Sequence, residues 1–384
     1  MHKKNTVFLR TFGCQMNIRD SEVISGLLQK AGYRISATDQ DADIIIFNTC
    51  SVRKHAEDRV WSLIGSYKGS KVIGLVGCMA QNYKEQAFQR DPHISFVVGP
   101  QDIHKLPVII EKILGDNLFS DKNLLERKIW ETAGDLRPEE IYHMDFYQDK
   151  NHAHVVISEG CSNFCSYCVV PYVRGALRHR KHKDILIEIR EVIARGVTKV
   201  TLLGQNVNAY QDSQVNFTKL LEQVNALSGL KEFDFFTSHP KDAGVDFFKA
   251  IRDLEKLVKR LHLPLQSGSD KILKLMNRGY QAKDYLSLID SYRKIVKSGR
   301  LTTDIIVGFP TETDAEFNQT YALVKKARFN AAYIFKYSSR PGTEAAKIID
   351  PLKQAELEQR HRKILNLQRS ISQELRSSQV DAKK

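Results

Sequence analysis

The sequence has no apolar run longer than a strand. Segments such as Asp43 to Phe47 and Lys71 to Val76 fall far short of the roughly 20 residues that a membrane span needs, so a transmembrane protein is excluded. Low-complexity tracts and internal repeats are also missing. With 42% hydrophobic and 27% charged residues, neither a disordered nor a fibrous chain fits. The opening Met1-His2-Lys3-Lys4-Asn5 runs into a strand pattern without an apolar signal core or an Arg/Ser-rich leader, and the expected compartment is the cytosol. Acidic residues are in the minority, 45 against 58 basic ones, leaving a formal charge of +13. That is the balance of a protein that meets a polyanion. At 384 residues the chain exceeds one ordinary core, and two or three domains are expected.

Cysteine is scarce, and its placement is informative. The six form two sets of three: Cys14, Cys50 and Cys78, then Cys161, Cys165 and Cys168 within eight residues. In a cytosolic chain such residues point to thiolate chemistry or metal ligation before disulfides.

Strand patterns at Val7–Leu9, Ile44–Phe47, Val72–Val76 and Phe96–Val98 alternate with helical ones, which predicts an α/β domain with an open parallel, Rossmann-like sheet over residues 1–118. Cys14, Cys50 and Cys78 each follow the carboxyl end of a strand, where open α/β sheets gather ligands. Residues 119–146 carry mixed charge, Gly134 and Pro138 and no clear periodicity, and are expected to be a linker. A second rhythm over 147–350 places strands near 154–158, 198–203, 233–237, 259–265, 302–307 and 332–337. Six βα units predict a partial (β/α)6 barrel with its chemistry at the carboxyl ends of the strands. A capping box is expected at Thr313 and Glu316. Residues 351–384 read as a helical extension.

The segment Gly160-Cys161-Ser162-Asn163-Phe164-Cys165-Ser166-Tyr167-Cys168 carries the strongest signal. Three thiolates on one short loop can hold three irons of a cubane and leave the fourth without a protein ligand. A structural zinc site needs four ligands and finds three here. This loop resembles that of the radical S-adenosylmethionine (SAM) enzymes, with an aromatic residue, Tyr167, before the last cysteine. In that family the open iron chelates SAM, and an injected electron cleaves SAM to a 5′-deoxyadenosyl radical.

Three further segments are similar to the N-terminal domain of the methylthiotransferases: Thr11-Phe12-Gly13-Cys14-Gln15-Met16-Asn17, Asn48-Thr49-Cys50-Ser51-Val52-Arg53 and Gly77-Cys78-Met79-Ala80-Gln81. The resemblance implies an auxiliary four-iron cluster on Cys14, Cys50 and Cys78, beside the radical SAM cluster on Cys161, Cys165 and Cys168. Gly204-Gln205-Asn206-Val207-Asn208-Ala209, Thr237-Ser238-His239-Pro240, Leu263 to Ser269 and Arg340-Pro341-Gly342-Thr343 look like the MiaB branch. Members of that branch methylthiolate C2 of N6-isopentenyladenosine at position 37 of tRNA with two SAM molecules and two [4Fe-4S] clusters.

By the same resemblance, SAM contacts are expected at Tyr167, Gly204, Gln205, Gln266, Ser267, Val307 and Gly308. Ordinary barrel packing or turn formation is the alternative for each. The implied partners are a tRNA anticodon stem-loop and an electron donor of flavodoxin or ferredoxin type, with no membrane. The family usually ends in a β-barrel RNA-binding module, TRAM, for which this sequence has no strand pattern. The basic run with Arg174, Arg178, Arg180, Lys181 and Lys183 is expected to touch phosphate, or else to be a solvated face. Glu159, Asp304, Glu312 and His239 stand at strand ends, and none is assigned as a general base. Other readings are the same chemistry on threonylcarbamoyl-adenosine tRNA or a ribosomal protein, and a non-catalytic iron–sulfur or zinc protein that binds RNA.

Overall fold

The structure is a computed structural model and describes residues 5–51, 54–67, 71–114, 128–134, 137–143, 147–349 and 352–381. Val52 and Arg53 of the second cysteine motif, and much of the expected linker, lie outside the described residues. The chain divides into two compact units, Met1–Val156 with Val170–Ala176, and Ile157–Val169 with Leu177–Lys384. No helix among the described residues is long and apolar enough to cross a membrane.

In the first unit the elements run β1 (Thr6–Phe12), α1 (Gln15–Lys30), β2 (Arg34–Ile35), β3 (Ile44–Thr49), α2 (Lys54–Ile64), β4 (Val72–Gly77), α3 (Cys78–Tyr83), α4 (Gln86–Arg90), β5 (Ile94–Val98), α5 (Leu106–Leu114), β6 (Ile129–Glu131), β7 (His152–Val156) and α6 (Val170–Arg174). Six strands form one sheet in the order β2-β1-β3-β4-β5-β6, and every pair is parallel. Every residue of β3, β4 and β5 is buried, as expected of central parallel strands covered on both faces. Ile45, Phe47, Ile73, Leu75 and Val97 fill the core with Val60 and Ile64 of α2. The expected linker is partly sheet, because β6 extends the edge beside β5. Three residues with an exposed Trp130 in their middle carry too little periodicity to be read as a strand.

The second unit holds β8 (Ser158–Glu159), β9 (Arg178–His179), α7 (His182–Ala194), β10 (Lys199–Leu203), β11 (Gln211–Asp212), β12 (Val215–Asn216), α8 (Phe217–Asn225), β13 (Glu232–Phe235), α9 (Val245–Asp253), β14 (Arg260–His262), α10 (Asp270–Leu275), α11 (Ala282–Ile295), β15 (Arg300–Val307), α12 (Asp314–Ala327), β16 (Ala331–Lys336) and α13 (Gln354–Asp381). Strands β10 and β13 pair in parallel, as do β14, β15 and β16. Between the two groups the ladder shrinks to a single bridge, Phe233 to Leu257. Short antiparallel pairs β8–β9 and β11–β12 decorate this βα array.

Strand β14 is shorter than the predicted 259–265. Pro264 has no N–H to give the ladder, and Leu265 donates to the Thr303 hydroxyl instead of a backbone carbonyl. Pairing resumes for one residue at Gln266, which bridges Ile305 with a left-handed φ of 70°. Helix α13 is an integral part of this unit. Ile364 and Ile371 are buried, Gln368 donates to the Phe329 carbonyl, and Arg360 ion-pairs with buried Glu312.

Candidate active site

The parallel register brings the first three cysteines to one edge of the sheet. Phe12 stands opposite Thr49, and Thr49 opposite Gly77, so the chain leaves β1, β3 and β4 side by side. Cys50 and Cys78 are the next residues, and Cys14 follows after Gly13. A side chain at Gly13 would place its Cβ 2.6 Å from the Cys50 Cβ, at a φ of 145°, and only glycine permits that approach. Asn17 accepts from the Cys14 backbone N–H and thiol, and its amide donates to Asn48 and to the Thr49 carbonyl. The asparagines of the first two cysteine motifs therefore tie the strand ends together.

Arg174 completes this triad. Its Nε lies 3.2 Å from the Cys78 sulfur, while its far nitrogen pairs at 2.6 Å with Asp20, which also receives Arg137 at 2.8 Å. A hydrogen bond with Cys50 is the main cause that pulls the Cys14 thiol down to about 6; burial works against it and the Arg174 charge assists. Cys78 is pushed up by burial, which Arg174 opposes.

The second triad lies on the loop after β8. Here the Cys168 N–H closes a turn on the Cys165 carbonyl, and Phe164 adopts a φ of 46°. Residues Leu275 to Arg278 clamp this loop. Ser166 donates its N–H to the Met276 carbonyl and its hydroxyl to the Leu275 carbonyl, and the Asn277 amide donates to the carbonyls of Asn163 and Phe164. Arg278 reaches the Cys165 sulfur at 3.2 Å and the Tyr167 hydroxyl at 3.4 Å. Tyr167 packs against the cluster of Ile272, Met276, Phe309 and Ala345. The Cys161 thiol is pushed up by burial.

Among the described residues, no three His, Cys, Asp or Glu side chains close around a point as ligands of a single ion do. A cubane needs no such convergence, since each thiolate takes a separate iron. Both donor sets fit an iron–sulfur cluster: three thiols outside any disulfide, one of them facing a buried guanidinium suited to a negatively charged group.

The expected SAM contacts fall at the carboxyl ends of the second unit's strands. Gly204 leaves room for the Ser158 hydroxyl, which would stand 2.4 Å from a Cβ, and its carbonyl accepts from Thr237. The side-chain oxygens of Gln205 and Asn206 are buried with no hydrogen-bond partner. The Ser267 hydroxyl accepts the Ser269 N–H and faces Thr320, so it is already engaged. Val307 is buried in β15, and Gly308 packs beneath Leu357, whose methyl would be 2.3 Å from a Cβ. That face of Gly308 serves the seating of α13 and is not offered to a ligand.

The basic run does not form one surface. Arg174 and Arg180 are buried, the second in a 2.5 Å ion pair with Glu188, which removes both from contact with a phosphate. Arg178 reaches Glu159, and Lys181 and Lys183 are exposed. Three of the four strand-end polar residues are likewise engaged: Glu159 by Arg178, Asp304 by His262 at 3.4 Å, and Glu312 by Arg360 and the Gly308 N–H. His239 is held down to about 2, by burial first and then by the charges of Arg278 and Lys241. Its Nδ1 accepts the Lys241 N–H, which leaves Nε2 to carry the proton. Nothing in the sequence pattern of Asn277, Arg278 or Asp20 singled them out, since each reads as an ordinary polar residue.

Two family models match the chain: one described as the uncharacterized protein family UPF0004 over residues 6–99, and the radical SAM superfamily over residues 155–324. Among solved structures, the radical S-adenosylmethionine methyltransferase TsrM from Kitasatospora setae, with tryptophan and a SAM analogue bound, superposes with a TM-score of 0.62. The match covers 89% of this chain and 75% of that one at 12% identity, a likeness of fold. Relatives are closer in sequence. The tRNA-2-methylthio-N(6)-dimethylallyladenosine synthase of Thermoanaerobacter pseudethanolicus is 41% identical over 383 residues, 95% of this chain and 78% of the relative. That of Carboxydothermus hydrogenoformans is 39% identical, covering 98% and 86%. The chain belongs to this family of radical SAM tRNA-2-methylthio-N(6)-dimethylallyladenosine synthases.

Proposed function

We propose that the protein transfers a methylthio group to C2 of N6-isopentenyladenosine at position 37 of tRNA, on two four-iron clusters and with two SAM molecules. The observation that carries this reading is the pair of separate cysteine triads, each at strand carboxyl ends and each facing a buried arginine. Cys14, Cys50 and Cys78 would hold the auxiliary cluster, and Cys161, Cys165 and Cys168 the one that binds SAM. When bound, these groups supply the sulfur, the methyl group and the radical reactivity that an inert adenine C2–H demands.

The protein's own residues position the reactants. Gln205 and Asn206 have unanswered buried oxygens, which supports a role in receiving the polar end of SAM. Tyr167 is fixed by Arg278 and by its packing on the cluster that holds Phe309. His239 adds no charge to this region, because it stays neutral at any physiological pH. The base must leave its stack to be reached, and an anticodon-loop purine splays out at modest cost. Lys181 and Lys183 are exposed where phosphate can meet them. A flavodoxin- or ferredoxin-type partner would deliver the electron, and the cytoplasm, where tRNA is processed and six cysteines stay outside disulfides, is the site of action.

The test is anaerobic incubation of iron–sulfide-reconstituted protein with SAM, a reductant and tRNA carrying N6-isopentenyladenosine, followed by nucleoside mass spectrometry. A 2-methylthio product that disappears in Cys50→Ala and in Cys165→Ala is expected. If 5′-deoxyadenosine forms while the nucleoside stays unmodified, the substrate assignment is wrong; protein that holds iron and yields neither product overturns the enzymatic reading.

A further inference from the structure

We propose that Arg278 is a positioning residue for the cluster of Cys161, Cys165 and Cys168, and that its uncompensated charge, set against the Cys165 sulfur by an N–H that donates to it, holds up that cluster's reduction potential. This rests on the assignment of those three cysteines as ligands. Arg278 is 4% exposed. Its nitrogens meet the Tyr280 hydroxyl at 3.1 Å, the Pro264 carbonyl at 3.2 Å, the Tyr167 hydroxyl at 3.4 Å and the Cys165 sulfur at 3.2 Å. All the oxygens are neutral.

Four other buried arginines are built differently. Arg19, Arg174, Arg180 and Arg360 each face a carboxylate, Glu22, Asp20, Glu188 and Glu312 respectively. An interior guanidinium without an anion is unfavourable, because the interior does not repay its lost hydration. Of the groups in reach of Arg278, the Cys165 sulfur is the one that becomes anionic on binding iron, so the fold keeps a cation for a charge that arrives with the cluster. The guanidinium is also fixed in direction: it stands 5.4 Å from the Tyr280 ring centroid, and the Tyr280 hydroxyl is anchored on the Leu265 carbonyl. Hydrogen bonds to cluster sulfurs shift reduction potentials. A nearby positive charge favours the more negative, reduced state, and the sign is therefore upward.

The test uses the full chain with Cys14, Cys50 and Cys78 replaced by alanine, so that a single cluster is observed, and compares Arg278→Gln with Arg278→Lys by redox titration monitored by electron paramagnetic resonance. Arg278→Gln is expected to retain iron but to reduce less readily, its oxidised-to-reduced ratio at a fixed poise rising about tenfold, or 59 mV for one electron. Arg278→Lys is expected to keep most of the parent potential. An unchanged potential in Arg278→Gln, or an equal fall in both variants, overturns the inference. So does loss of iron from both in protein with native circular dichroism, which would make Arg278 a strut for the loop. A parent chain that binds no cluster refutes the ligand assignment, and the inference falls with it.

Discussion

Asp20 receives two guanidinium groups, from Arg137 and Arg174, in a site closed to water. Burial pushes its carboxyl up, and the two arginines more than reverse that, holding it below its ordinary value. Asp20→Asn leaves both cations facing a neutral amide and is expected to cost about 3–5 kcal/mol in urea unfolding. A variant within 1 kcal/mol (~1) of the parent would refute this account of the pair. Gly13→Ala drives a Cβ into Cys50. Its iron content is expected to fall by about half, one four-iron cluster of two, while 5′-deoxyadenosine formation persists; full iron occupancy would contradict it. The cysteines were legible in the sequence because thiols are rare and their spacing is chemical. Arg174 and Arg278 were not, because a basic residue looks the same in sequence whether it meets water or a sulfur atom, and the run that holds Arg174 therefore reads as a phosphate contact or a solvated face.

Helix α12 shows how much an element owes to one end. Thr313 and Glu316 form the predicted capping box, with the Glu316 carboxylate accepting from both the N–H and the hydroxyl of Thr313 and pairing with Lys271. The hydroxyl is the main cause that lowers Glu316 to about 2, and Lys271 adds to it. Thr313→Ala is expected to cost about 1 kcal/mol. Because the folded value lies below the ordinary 4.5, the stabilisation is present above that pH and is lost as pH falls through 2. The melting-temperature gap between parent and Thr313→Ala should therefore narrow between pH 4.5 and 2; a constant gap would show that the ionised carboxylate is not what the cap uses. At this scale the strand centres were readable from their β-branched runs. Their ends depended on particular residues, such as Pro264 cutting β14 short and Gln266 resuming the pairing.

The whole molecule carries +13, and its nucleic-acid affinity should follow that charge. The dissociation constant for tRNA is expected to rise at least about tenfold between about 50 and 200 mM monovalent salt, as released counterions require. A flat salt response would remove Lys181 and Lys183 from consideration as phosphate contacts. The two-part organisation was visible in the change of βα rhythm, but the dividing line was not. Residues Val170–Ala176 leave the cluster loop and belong to the first unit, while Ile157–Val169 belong to the second, and no composition shift marks such an exchange.

The arginine that faces each triad comes well after its cysteines in the chain. Arg174 lies 96 residues beyond Cys78, and Arg278 lies 113 beyond Cys165. At ribosomal speeds of roughly 5–20 residues per second, each set of thiols is finished about 5–20 seconds before its charge partner exists. Until its arginine is made, each triad has its thiols in place and its counter-charge still unsynthesised, so a cluster held there early would lack the positive charge that the finished fold sets against its sulfur.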